Sequence, residues 1–150
     1  MKKLALVFTM MMLLCGAALS AAADDSAKAE ALVKKGVAYL KSAGEEKAFE
    51  EFSNKKGQFV DGELYLFMVD FNGLTIAHGG NNALVGQDMK VLKDADGKFF
   101  IQEMIDLAKT KGSGWTEYKY RNPKTNEVQP KRSYVERVGD AFIGCGIYKR

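Results

Sequence analysis

The dipeptide Asn72-Gly73 separates two apolar runs, residues 64–69 and 74–77. Asn-Gly between two such runs is the strongest short signal for a two-residue β-hairpin. The first run is apolar at every position, which is typical of a strand covered on both faces. A chain with this hairpin must therefore place other layers against both sides of a sheet.

Helical periodicity occurs in two other parts of the chain. Ser26 is a suitable N-cap, and apolar or small residues follow it at helical spacing: Leu32, Gly36, Tyr39, Leu40 and Ala43. Gly44 interrupts the pattern, which resumes with Ala48, Phe49 and Phe52, so we expect one long helix that bends or breaks at Gly44. Residues 98–112 form a second amphipathic helix that Gly112 ends.

Three further strands are predicted at residues 113–122, 127–138 and 140–149, joined by turns at 123–126 and 139–140. The order is helix, two strands, a loop with a helix, and three strands. This order predicts an α+β fold with a five-stranded antiparallel sheet. The long N-terminal helix packs on the sheet, and the second helix lies between strands two and three.

The first 23 residues have the pattern of a secretory signal. Lys2 and Lys3 precede an apolar stretch at 4–14, and Ala21, Ala22 and Ala23 offer small residues before a cleavage point. An uncleaved anchor is the alternative, but the apolar stretch is short for a membrane span. We expect a signal peptide at 1–23 and one domain at 24–150, exported to the periplasm and not held in a membrane.

Composition agrees with a single globular domain, since 47% of the 150 residues are apolar and 27% are charged. Without Lys2 and Lys3 the chain has 20 basic and 19 acidic residues, a net charge of +1. A net charge so close to zero does not indicate the basic surface that nucleic-acid binding requires, so no nucleic-acid partner is predicted.

Chemistry at Cys145 or His78 is not expected. After signal removal Cys145 is the only cysteine, so no intramolecular disulfide can form. It alternates with apolar residues on one face of the last strand, which favours burial over reactivity. A Cys–His nucleophile pair is conceivable, but nothing in the spacing requires contact. No enzyme, cofactor or metal site is predicted; "DADGK" at 94–98 lacks the distal Glu of a calcium loop.

Several segments, taken in order, carry a family resemblance: "GELYLFMVDFNGLTIAHGG", "LVGQDM", "DADGKFFIQEM", "GWTEYKYRNP", "PKRSYV" and "IGCGIY". Over residues 26–149 the chain resembles a single Cache domain of type 2. The resemblance implies a PAS-like sheet and an extracytoplasmic sensor of small organic acids or similar metabolites. Such domains sit on chemoreceptors and histidine kinases. Without a second membrane segment or an output domain, we expect a free-standing module that acts through a membrane receptor or kinase.

Two adjacent strands offer the groups that a small-carboxylate pocket needs, namely a cation, hydrogen-bond donors and apolar walls. The candidate residues are Trp115, Tyr118, Lys131, Arg132, Ser133 and Tyr134. Strict alternation separates Lys131 and Ser133 from Arg132 and Tyr134, unless the strand bulges. Pro130 lacks an N–H, so we expect interrupted pairing and a bent pocket rim there. Edge protection and an ordinary sheet surface are the alternatives.

Lys131 is the favoured anchor of the carboxylate, and Arg132 with Tyr134 is the competing pair. On the last strand, Gly144 and Gly146 share a face and leave a shallow trough that something approaches closely. We expect the long helix to pack across that trough, with a pocket wall as the alternative. The predicted function is a periplasmic small-molecule sensor module; the alternative is a protein-interaction or structural adaptor domain.

Overall fold

The computed structural model describes residues 14–149, with side chains described for residues 24–149. The predicted signal peptide at 1–23 lies outside the residues described in full, so its cleavage stays a prediction. Within the described part of the chain, none of the helices is both long and apolar enough for a membrane crossing.

Residues 14–149 contain three α-helices: α1 (Leu14–Ala43), α2 (Glu45–Phe52) and α3 (Phe100–Lys111). The predicted break in the long helix is confirmed, because Gly44 separates α1 from α2 with a φ of 85° that L side chains rarely adopt. Gly112 ends α3 in the left-handed conformation with a φ of 79°. α3 lies between the third and fourth strands.

The strands are β1 (Val60–Asp61), β2 (Leu64–Asp70), β3 (Thr75–His78), β4 (Ser113–Arg121), β5 (Val128–Val138) and β6 (Ala141–Tyr148). Their order in the sheet is β1-β2-β6-β5-β4, and β3 pairs with β2 on the edge opposite β6. All pairs are antiparallel. The predicted fold class and its five strands are confirmed, and β1, a strand of two residues, was not predicted.

Helices cover both faces of the sheet. α1 and α2 cover one face, here called the α1 face, through Val33, Leu40, Phe52 and their neighbours. The predicted packing of Tyr39, Leu40, Phe49 and Phe52 on one face is confirmed. α3 covers the other, called the α3 face, through Phe100, Ile101, Met104 and Ile105. The alternate residues of each strand therefore belong to two separate cores.

The expected packing of α1 across the glycine trough is wrong. Ala141, Ile143 and Cys145 face α1, so Gly144 and Gly146 lie on the α3 face. A Cβ at position 144 would lie 2.5 Å from Cζ of Phe67, and one at 146 would collide with Lys131. The trough therefore accommodates side chains of neighbouring strands on the α3 face.

Pro130 does not interrupt the β4–β5 ladder, contrary to expectation. It pairs with Lys119, and the register continues without a shift from Ser113↔Glu136 to Arg121↔Val128. The Pro130 carbonyl accepts from the amide N–H of Lys149 at 2.8 Å. The N and O of a strand residue point to the same side, so the missing N–H falls at the end of β6. Alternation along β5 is therefore strict.

Candidate functional site

Lys131 is buried in the α3 face with only 1% of its surface exposed. Strand pairing places it between Tyr118 of β4 and Tyr148 of β6. Its Nζ donates a hydrogen bond to Oη of Tyr65 at 2.8 Å. Four aromatic ring centroids lie 4.5–5.8 Å from Nζ, those of Tyr65, Phe67, Tyr120 and Tyr148. The ammonium therefore sits inside an aromatic cage.

No ion pair among the described residues involves Lys131. Burial away from water penalises the charged form, which lowers the pKa of Lys131 from 10.5 to about 7. An ammonium has three N–H donors, and one hydrogen bond uses only one of them. The site therefore combines a buried cation with unused donor capacity.

His78 lines the same cavity from the end of β3. Its Nδ1 accepts hydrogen bonds from the amide N–H groups of Gly80 at 3.2 Å and Asn81 at 2.9 Å. These bonds assign the proton of the neutral ring to Nε2. Burial, followed by the nearby Lys131, lowers the pKa of His78 to about 3. His78 is therefore a neutral residue whose Nε2–H can donate.

Tyr118 and Ser133 meet through their hydroxyls at 2.8 Å. Tyr118 also stacks on Phe100, with ring centroids 4.6 Å apart and an interplanar angle of 3°. Burial raises the pKa of Tyr118 well above its usual value of 10, so its hydroxyl stays protonated. Ser133 does not line the cavity. Its hydroxyl is hydrogen-bonded to that of Tyr118, a residue that does line the cavity.

The cavity has a volume of ≈ 20 Å³, which is room for about one water molecule. It is lined by Phe67, Val69, Thr75, His78, Met89, Phe100, Ile101, Tyr118, Tyr120 and Lys131. A groove of ≈ 740 Å³ adjoins it and shares His78, Phe100 and Tyr120 with its lining. Three cationic side chains lie along that groove: Lys93, Lys119 and Arg121.

The structure places Trp115, Arg132 and Tyr134 on the α1 face, away from this cavity. The Trp115 Nε1–H donates to Glu30 of α1 at 3.1 Å. The Arg132 guanidinium lies 4.0 Å from the Trp115 ring centroid, and the Tyr134 ring lies 5.6 Å from it. Trp115 and Tyr134 pack in the core that α1 covers, and Arg132 packs on Trp115. A pocket built from all six candidates is not formed; Lys131, Ser133 and Tyr118 are brought together.

The sequence profile of the family described as Single Cache domain 2 matches residues 27–150. This chain belongs to the single Cache domain family. The match covers all the strands and α3 together with most of the side chains that pack on them. The resemblance inferred from the ordered segments is thereby confirmed.

Two curated relatives are similar in sequence to part of this chain. The methyl-accepting chemotaxis protein McpP of Pseudomonas putida (strain KT2440) is 30% identical over 90 residues, which cover 59% of this chain and 16% of McpP. The sensor histidine kinase MctS of Rhizobium johnstonii (strain 3841) is 33% identical over 86 residues, covering 56% of this chain and 18% of MctS. The aligned part of this chain therefore spans less than a fifth of either relative.

A solved Cache chemosensory domain that recognises carboxylic acids superposes with a TM-score of 0.72 and 27% identity. The match covers 87% of this chain and 97% of that domain. Cache domains are extracytoplasmic sensor domains of membrane receptors, and the family is a ligand-binding signalling module rather than an enzyme family.

In this Cache domain Cys145 and His78 lie on opposite faces of the sheet. Cys145 is fully buried in the core against α1, and burial raises the pKa of its thiol to about 12. His78 faces the cavity under α3. The conceivable nucleophile pair is therefore not formed.

Asp94, in the segment that resembles the start of a calcium loop, organises a turn, since its Oδ1 accepts from the amide N–H groups of Asp96 and Lys98.

Several residues of the site are missing from the sequence-based set. Phe67, Thr75, His78 and Tyr120 line the cavity, and Tyr65 contacts the Lys131 ammonium without lining the cavity. Tyr120 follows Tyr118 with strand alternation and could have been included on that ground. Tyr65 and Phe67 alternate on β2, but a strand that is apolar throughout does not show which face meets a ligand. His78 is an isolated histidine at the end of a strand, and the sequence does not show that it faces a ligand.

Proposed function

We propose that this Cache domain is a periplasmic sensor module that binds a small monocarboxylate with Lys131 as the anchoring cation. The observation that carries the proposal is the buried ammonium with a single hydrogen bond and no acidic partner among the described residues. A buried cation is stable only when paired or hydrogen-bonded, and a ligand carboxylate supplies the missing partner.

The neighbouring groups suit the two oxygens of a carboxylate. Lys131 offers unused N–H donors, and His78, whose imidazole stacks on the Phe67 ring at 6.0 Å, lines the same cavity and offers its Nε2–H. Tyr118 adds a hydroxyl that Ser133 orients. Charge-assisted hydrogen bonds of this kind are about twice as strong as neutral ones.

The walls of the cavity suit a short apolar tail. Val69, Met89 and Ile101 line it together with the ring of Phe100. Its small volume favours a ligand of few atoms and requires the walls to move apart slightly when the ligand enters. The carboxylic acid recognition of the structurally similar Cache domain supports the same ligand class.

As a sensor, the domain would act through a partner that carries the signalling machinery. McpP is a chemotaxis receptor and MctS is a histidine kinase, so a membrane receptor or kinase is the class of partner proposed here. Export fits the predicted signal peptide at 1–23. Intact-mass analysis of the exported protein should find Asp24, or a residue within a few positions of it, at the N-terminus; a full-length chain in the membrane would contradict export.

Isothermal titration calorimetry tests the ligand class. Acetate and propionate should bind, whereas propionamide, which matches propionate in size but lacks its charge, should not. Arg132→Ala provides a control variant because Arg132 lies on the α1 face, and it should bind propionate as the wild type does. Equal binding of propionamide would contradict the role of the cation, and no binding of any small acid would favour the adaptor alternative.

A further inference from the structure

Three aromatic rings, here called the ring layer, pack together where the cavity meets the adjoining groove: Phe100 and Tyr120 line both spaces, and Tyr118 lines the cavity. Phe100 stacks on Tyr118 and meets Tyr120 edge-on, with centroids 5.9 Å apart and an interplanar angle of 71°. Tyr118 and Tyr120 also meet at 5.9 Å with an angle of 68°. Each ring therefore contacts the other two, and no ring can move without breaking two ring contacts.

The ring layer is held in place from behind. Phe100 is 3% exposed and is the first residue of α3, so its position is set by the packing of that helix. The Tyr118 hydroxyl is hydrogen-bonded to Ser133. Aromatic pairs of this geometry stabilise a fold beyond the apolar area that they bury. A ligand that displaces the rings must therefore offset that loss.

The spaces on the two sides of the ring layer differ greatly in volume. The cavity on the Lys131 side measures ≈ 20 Å³, while the groove on the outer side measures ≈ 740 Å³. The groove has apolar side chains of its own, including Leu84, Leu92 and Val128. An alkyl chain that passed the ring layer would thus find apolar contacts beyond it.

We propose that Phe100 and Tyr120 set the upper limit on the chain length of the ligand. The cavity has room for about one water molecule, so a short acid of about two or three carbons, with its carboxylate at Lys131, needs only a small movement of the walls to stay on the Lys131 side of the ring layer. A longer acid must push the rings apart, although the groove beyond could hold its tail. This inference rests on the proposed function, since it takes the carboxylate to bind at Lys131.

The affinities for acids of increasing chain length test the inference. Acetate, propionate, butyrate and hexanoate are titrated into the wild type, Phe100→Ala and Phe99→Ala. Phe99→Ala is a matched control because Phe99 is adjacent, 39% exposed and absent from both linings. Wild type and Phe99→Ala should bind propionate at least about tenfold more tightly than hexanoate. In Phe100→Ala hexanoate should gain about tenfold or more, since each methylene in an apolar environment contributes up to about fourfold.

The position of the tail is tested by adding charge to the groove. Leu92 and Val128 are 40% and 50% exposed, so Leu92→Asp and Val128→Asp should fold. Combined with Phe100→Ala, either substitution should cancel the gain for hexanoate and leave propionate binding unchanged. If Phe100→Ala does not fold, Phe100→Leu and Tyr120→Leu carry the same expectation at a smaller magnitude.

The outcomes separate this inference from the proposed function. If the wild type binds propionate and hexanoate equally well, or if Phe100→Ala, Phe100→Leu and Tyr120→Leu all leave the profile unchanged, the inference is overturned and the proposed function stands. If the wild type binds none of the four acids, the proposed function fails and the inference fails with it. If hexanoate binding survives the added aspartates, the tail does not lie in the groove.

Discussion

The side chain of Lys131 occupies the space that a Cβ on Gly146 would take, across the β5–β6 pair. The glycine thus permits the lysine to lie flat along β6 with its ammonium among the rings of Tyr65 and Tyr148. Any side chain at position 146 would collide with both Lys131 and Ser133. The side chain at position 131 and the glycine at position 146 are therefore coupled across the β5–β6 hairpin.

Gly146→Ala should accordingly weaken propionate binding, because the added methyl group pushes the ammonium away from the cavity. Overpacking of this kind costs about 1–3 kcal/mol, so the melting temperature should also fall. A double-mutant cycle with Lys131→Ala checks the cause: the stability cost of Gly146→Ala should shrink when the lysine side chain is absent. Additive effects of the two substitutions would show that the residues are not coupled.

Lys131→Met should abolish or greatly weaken carboxylate binding without destabilising the protein. A charge-assisted hydrogen bond contributes about 1.5–3 kcal/mol, so Lys131→Ala or Lys131→Met should reduce the affinity for propionate about ten- to a hundredfold. Since replacing a buried charge by an apolar side chain is often neutral or stabilising, the melting temperature of Lys131→Met at pH about 6 should not fall.

Arg132→Ala changes a residue on the opposite face of the sheet from Lys131. It should lower stability and leave the affinity for propionate unchanged, the reverse of the effect expected for Lys131→Met. The Arg132 guanidinium packs on Trp115, and loss of that contact should reduce stability by about 0.5–1 kcal/mol with no change in affinity. Calorimetry and thermal melts of both variants decide the assignment. Unchanged affinity in Lys131→Ala with a loss in Arg132→Ala would reverse the roles of the two residues.

Binding should depend on pH through Lys131. Its pKa is lowered to about 7, and only the protonated form pairs with a carboxylate. The affinity for propionate should therefore be greatest below pH about 7 and fall up to about tenfold per unit above it. Calorimetry in buffers of different ionisation enthalpy should show proton uptake on binding at pH about 8. Equal affinity at pH about 6 and about 9 would contradict this.

The other titratable groups around Lys131 do not change charge in that range. Burial raises the pKa of Tyr65, Tyr118, Tyr120, Tyr148 and Cys145, and the pKa of His78 is about 3. For the protein without ligand, the unfolded chain keeps the Lys131 proton up to a pKa of 10.5. The contribution of Lys131 to stability should thus rise with pH between about 7 and 10.5.

The side-chain alternation of β5 could be predicted because it depends only on the period of a strand. It separated Lys131 and Ser133 from Arg132 and Tyr134 correctly. Local sequence cannot show which face of the sheet α1 covers, because both faces of β6 carry small or apolar residues. The glycine trough was therefore assigned to the wrong neighbour. The fold class followed from periodicity and turn residues alone.

The contribution of β2 and β3 to the site could not be read from the sequence. His78 and Tyr65 approach Lys131 through the β2–β6 pairing, which joins segments about 75 residues apart along the chain. Nothing local to either segment indicates that pairing. The expected interruption at Pro130 failed for a related reason: its effect depends on which neighbouring strand faces its nitrogen, and that neighbour is the end of β6.

His78→Leu should separate two roles of the imidazole. It removes the Nε2–H donor proposed for the ligand, so the affinity for propionate should fall about ten- to a hundredfold. It also leaves the amide N–H groups of Gly80 and Asn81 without their acceptor, which should cost about 1–3 kcal/mol of stability.

Asn81→Ala is the matched control, because it removes only the side-chain oxygen that accepts from the Ala83 N–H. It should lower the melting temperature slightly and leave propionate binding intact. If both variants lose affinity to the same extent, the loop conformation rather than the imidazole proton determines binding; if neither does, His78 does not bind the carboxylate.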